Sequence, residues 1–168
     1  MDFLVKLEQS GFSTWIRESP SVWAYPTILF LHTVGLGFLV GTSMAIDLRV
    51  LGFSAGLPLD PLRKFFPLMW FGFWVNAASG VVLVMIDASS MLVNPLFYIK
   101  NGCIAFAMVS GRLIAKQVFE NPLVDHAPVR FSGKVLAGAS LLFWLASITA
   151  GRLTAYLFSH PGGSASIH

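Results

Sequence analysis

Residues Ala24 to Leu48 read AYPTILFLHTVGLGFLVGTSMAIDL, a stretch long enough to cross a bilayer core, and from Ala24 to Ile46 it is apolar apart from one imidazole. His32 stands six residues beyond Pro26, near the start of that run, which places it ~9 Å inside on an α-helical rise. An ionisable group at that depth is costly unless partnered, and such groups mark functional sites more often than ordinary surface residues do. The run fixes the membrane class, and its histidine is the first candidate for chemistry.

The rest of the chain agrees with the membrane reading. Of 168 residues, 55% are hydrophobic and 11% are charged, against the roughly 25% charged of soluble domains. Three further spans follow at Phe65 to Ile86, Leu96 to Ala115 and Val135 to Phe158, giving an all-α integral membrane four-helix bundle in one domain, 1–168. The net charge of +3 comes from scattered lysines and arginines at helix ends, not from a basic run, so no nucleic-acid partner is indicated. Seven of these cations (Arg49, Arg63, Lys64, Arg112, Lys116, Arg130, Lys134) flank the first and third connections; four (Lys6, Arg17, Lys100, Arg152) lie on the opposite side. The positive-inside rule then makes those two connections cytoplasmic and both termini external, periplasmic in a bacterial inner membrane. Asp2, Lys6 and Glu8 interrupt the amino end, which argues against a cleavable signal. Cys103 is the sole cysteine and reads as packing.

Phe3, Leu4, Leu7, Phe12, Trp15 and Ile16 interleave with charges over residues 2–18, the pattern of an amphipathic interfacial helix broken at Ser19-Pro20-Ser21. Asp47 and Arg49 are expected at the interface, reaching headgroups or each other. Gly52 to Pro61 reads as a loop, Asp87 closes the second span, and Asn94-Pro95 opens the third. Arg112 and Lys116 are placed to snorkel. His126 beside Asp125 reads as solvated, and His160 and His168 belong to a flexible tail over 160–168. Small residues recur every fourth position at Gly37-Gly41-Ala45, Gly72-Asn76-Gly80, Ala107-Gly111-Ala115 and Ser147-Gly151-Ala155, stripes that permit close helix approach.

With alternating helix directions, the outer ends gather His32, Asp87, Lys100, Asn101, Arg152 and Tyr156 into one polar layer. Two cations beside an imidazole suit an anionic or carboxylate-bearing guest such as a haem with its propionates, and Gly35, one turn from His32, is expected to leave room for a flat ring. No second histidine lies within a span, so a haem needs five-coordinate iron, a methionine such as Met85, or a second copy of His32 from a dimer. The plain alternative is a structural hydrogen bond from His32 to Asn76 or Ser147, with Lys100 and Arg152 turned to lipid or Asp87. Met44, Met69, Met85, Met91 and Met108 keep copper in view, although no M-x-x-M or M-x-M pattern joins them. The central spans hold Asn76, Ser79, Ser140 and Ser147 but no mid-depth carboxylate, an incomplete set for a proton-coupled carrier. Neither a Ser-His-Asp set, HExxH nor a phosphate loop points to hydrolysis.

The runs Trp15-Ile16-Arg17-Glu18-Ser19, Tyr25 to His32, Asp47 to Gly52 and Ala150-Gly151-Arg152-Leu153 resemble a family of small four-helix bacterial inner-membrane proteins, similar in layout to the membrane domain of copper-resistance D-type proteins. That resemblance implies the same bundle, puts weight on Tyr25, Pro26, His32, Asp47, Arg49 and Arg152, and brings no assigned activity. The residues together suggest a redox-associated membrane subunit, homo-oligomeric or part of a larger complex, with a haem b or quinone pocket in the outer leaflet and no catalysis of its own. A copper or small-ion permeation protein and a structural accessory subunit are the alternatives.

Overall fold

The computed structural model of the chain describes residues 23–120 and 128–158, together with Gly11. The expected interfacial helix over 2–18, the His126 segment and the tail over 160–168 lie outside the described residues. Over residues 23–158 the described residues form α1 (Ala24–Leu51), α2 (Phe65–Ile86), α3 (Ala88–Val93), α4 (Pro95–Ile114) and α5 (Phe131–Phe158) in order. Helices α1, α2, α4 and α5 are each long and apolar enough to span a bilayer. The protein is an all-α, multi-pass membrane bundle whose apolar surface meets lipid.

Local chemistry accounts for most of the boundaries. α1 stops at Gly52, which adopts φ 108° and returns its N–H to the carbonyls of Arg49 and Leu48. Arg49 then binds the connection that follows, donating from Nε to the Leu57 carbonyl (2.6 Å) and from Nη2 to that of Ala55 (3.2 Å). A 3₁₀ turn over Asp60–Lys64, with Arg63 paired to Asp60 at 2.9 Å, leads into α2. Asn94 caps α4 by accepting the Leu96 N–H at 2.9 Å, and Pro95 occupies the position where a missing N–H costs nothing. Two features depart from the sequence reading. The short α3 fills the turn after Asp87, and α5 starts at Phe131, four residues before the expected Val135.

In lipid, helices gain little from hiding apolar surface from one another, so close packing and internal hydrogen bonds decide the arrangement. α1 packs along α2 and α4 along α5, while an α1–α5 contact joins the two pairs. Ile46, Val50, Ile114, Val118, Phe119 and Ala137 fill the core at the end away from His32; Leu39, Val40, Met69, Ile104, Met108 and Trp144 fill the middle. At that far end the second and third spans meet: Phe66 packs edge-on against Phe119, with ring centroids 5.1 Å apart, and Arg112 lies 4.5 Å over Trp70. Toward His32, residues of α2 and α4 face one another across a cleft. Phe71, Trp74, Phe106 and Leu142 point outward to the lipid side.

The small-residue stripes are corrected on α1. Gly37, Gly41 and Ala45 face outward, and no atom would lie near a side chain added at Gly37 or Gly41. The close approach is made by Gly35 instead: a Cβ there would stand 2.7 Å from the Asn76 backbone nitrogen, and one at Gly72 would stand 2.7 Å from that of Leu39. The buried face of α1 runs through Gly35, Leu39, Ser43, Ile46 and Val50, a row neighbouring the glycine stripe.

Candidate functional site

His32 is clasped by α2. Its Nδ1 lies 3.1 Å from the Asn76 carbonyl oxygen and 3.1 Å from Ser79 Oγ. A carbonyl only accepts, so Nδ1 carries the proton and donates. Ser79 in turn sends its own hydroxyl to the Val75 carbonyl at 2.6 Å, leaving its lone pairs toward the ring. Asn76 completes the clasp in the other direction, with Nδ2 donating to the His32 carbonyl at 2.9 Å. The same amide nitrogen is 3.4 Å from both ring nitrogens, so it overlies the imidazole without pairing selectively with Nε2. A Cβ at Gly80 would come 3.2 Å from His32 Cε1, which shows how closely the Nδ1–Cε1 edge is pressed on α2. With Nδ1 committed to α2, a neutral ring presents the lone pair of Nε2. Fixing one imidazole nitrogen on a carbonyl to expose the other is how proteins orient ligand-binding histidines.

His32 borders a cleft of about 830 Å³ between α2 and α4. That is within the range of ligand pockets, roughly 300–1,000 Å³. Its walls are largely apolar, with Trp70, Phe73, Ile104 and Met108 among them, and its polar groups are His32, Asn76, Lys100, Asn101 and Thr154. Lys100 reaches the cleft from α4 with its aliphatic stem along Gly151, and its ammonium is within electrostatic reach of His32. The Lys100 carbonyl accepts from Ser147 at 3.5 Å, so the residue is tied to α5. Asn101 spends Nδ2 on the Phe97 carbonyl at 2.8 Å.

The structure therefore brings together His32, Lys100, Asn101 and Met85 of the expected set, all lining one cleft. It separates others. The space beside Gly35 is taken by the α2 backbone, so this glycine brings two helices together and leaves no room for a flat ring. Arg152 is exposed on α5 and does not line the cleft, and Asp87 pairs with neither Lys100 nor Arg152 among the described residues. The Tyr156 side chain lies outside the described residues. The structural bond expected from His32 goes to Asn76, while Ser147 turns to Lys100. Asp47 departs most from expectation: it faces the interior beside Ser43 and Ser140, and Arg49 bonds the following connection instead of reaching it. Its spacing of four from Ser43 was the available signal, since it puts both residues on one helix face.

Comparison with protein-family models, curated proteins and solved structures finds no match for this chain.

Proposed function

We propose that the chain is a redox-associated subunit of a bacterial inner membrane whose cleft between α2 and α4 binds a quinone in the outer leaflet. One observation carries the reading: His32 is anchored through Nδ1 to the Asn76 carbonyl and borders, with Lys100, the polar part of an apolar cleft. A quinone needs the same combination, an apolar slot for its isoprenoid tail and polar groups for its ring oxygens. His32 Nε2 accepts the hydroxyl proton of the reduced ring, and the Lys100 ammonium donates to the oxidised carbonyl. Oxidation of the quinol releases two electrons and two protons, so the reading requires an electron-accepting partner in a larger complex or oligomer. The seven-to-four distribution of cations supports placing the cleft on the periplasmic side.

Met85 lining the same cleft as His32 favours a second reading, haem b with histidine and methionine ligands. Titration of the detergent-solubilised protein with a short-chain ubiquinone, followed by tryptophan fluorescence, separates the two. Trp70 on the cleft wall is expected to be quenched saturably, and His32→Ala is expected to weaken binding at least tenfold, the loss of about 1.4 kcal/mol. A Soret band lost in His32→Ala would select haem. Quenching unchanged by His32→Ala and Lys100→Ala would contradict the quinone reading, and a preparation without a Soret band would contradict the haem reading.

A further inference from the structure

A second polar cluster lies about 22 Å of helix rise from His32, near the far end of α1, and the quinone reading makes no use of it. Asp47 is 1% exposed and Ser140 is 0% exposed, one on α1 and the other on α5. Asp47 Oδ2 and Ser140 Oγ are both sealed from solvent without a hydrogen bond. Ser43, one turn before Asp47, accepts the indole N–H of buried Trp144 at 2.8 Å. That bond fixes the Ser43 oxygen and leaves it a second lone pair. No cation pairs with Asp47 among the described residues.

A buried carboxylate with two serine hydroxyls beside it and no cation among the described residues requires further compensation. The groups around this one are hard oxygens, without nitrogen or sulfur ligands, which selects a hard cation over copper or zinc. A single negative charge matches a monovalent ion. Ile46, Ala137 and Trp144 are buried in the same helix turns, so an ion held here is stripped of most of its water. We propose that Asp47, Ser43 and Ser140 bind a sodium ion between α1 and α5. The ion takes Asp47 Oδ2 and Ser140 Oγ as ligands, and fastens the two helix pairs through their shared contact.

Thermal unfolding of the full chain in detergent, at constant ionic strength, tests this with sodium, potassium or choline chloride. Sodium is expected to raise the midpoint saturably, by about 5–10 °C at a hundredfold excess over its dissociation constant; potassium and choline are expected to leave it unchanged. Asp47→Asn is expected to abolish the response, Ser140→Ala to raise the half-saturating sodium concentration at least tenfold, and His32→Ala to retain it. Should Asp47→Asn fail to fold, Ser140→Ala decides alone. Equal midpoints in the three salts, a sodium response that survives Asp47→Asn, or unchanged half-saturation in Ser140→Ala would overturn the proposal. So would an Asp47-dependent response to pH without one to sodium, which assigns a proton to the site.

Discussion

Replacing Trp144 by alanine is expected to destabilise the bundle by about 3–5 kcal/mol, the largest single-residue effect in the chain. Trp144 is fully buried in the middle of the bundle and packed with Leu39, Val40 and Met108. In lipid, the stability of this region rests on dispersion contacts, which a cavity forfeits outright. Its indole N–H also ties α5 to α1 through Ser43 at 2.8 Å. Trp144→Phe keeps most of the ring and loses that bond, so it is expected to cost about 1 kcal/mol. Reversible unfolding in mixed detergent and dodecyl sulfate micelles measures both. Equal costs for the two variants would show that packing contributes little and the hydrogen bond nearly everything, contrary to this account.

The second large effect concerns glycines and has opposite signs at neighbouring positions. Gly35→Ala and Gly72→Ala each put a Cβ 2.7 Å from a backbone nitrogen of the facing helix. A main chain cannot swing aside as a side-chain tip does, so the helices must separate, at a cost of about 2–3 kcal/mol. Separation also strains the His32 clasp, because Asn76 is the group that Gly35 touches. Gly37→Ala and Gly41→Ala meet nothing, and with the helical penalty of glycine removed they are expected to be neutral or stabilising by up to about 1 kcal/mol. The same unfolding assay reads all four. Destabilisation at Gly37 comparable to that at Gly35 would refute the observed face of α1.

These glycines show where sequence reasoning ends. Four apolar runs and the Asn94-Pro95 start of α4 are local signals, and the helices follow them closely. Which face of α1 turns inward is not local. Two rows of small residues lie side by side on that helix, and in a membrane both faces are apolar, so hydropathy does not separate them. The joint presence of His32 and Lys100 at one level follows from antiparallel helices and known rise, and was legible. The cleft between α2 and α4 lies beyond the end where Phe66 meets Phe119, a pairing across many residues that no spacing rule gives. The nearness of Asp47 to the helix end reads as interfacial, yet it is buried beside Ser140, on a helix far away in sequence, and beside Ser43, which Trp144 of that same helix bonds.

The most direct test is NMR of the isotope-labelled imidazole nitrogens in the solubilised protein, with His32→Ala assigning the signal. The His32 ring is expected to be protonated at Nδ1 and bare at Nε2, with the Nε2 resonance moving when a short-chain quinone is added and the Nδ1 resonance staying in place. A neutral ring protonated at Nε2 and bare at Nδ1 would contradict it, because the bond to the Asn76 carbonyl would then have no donor.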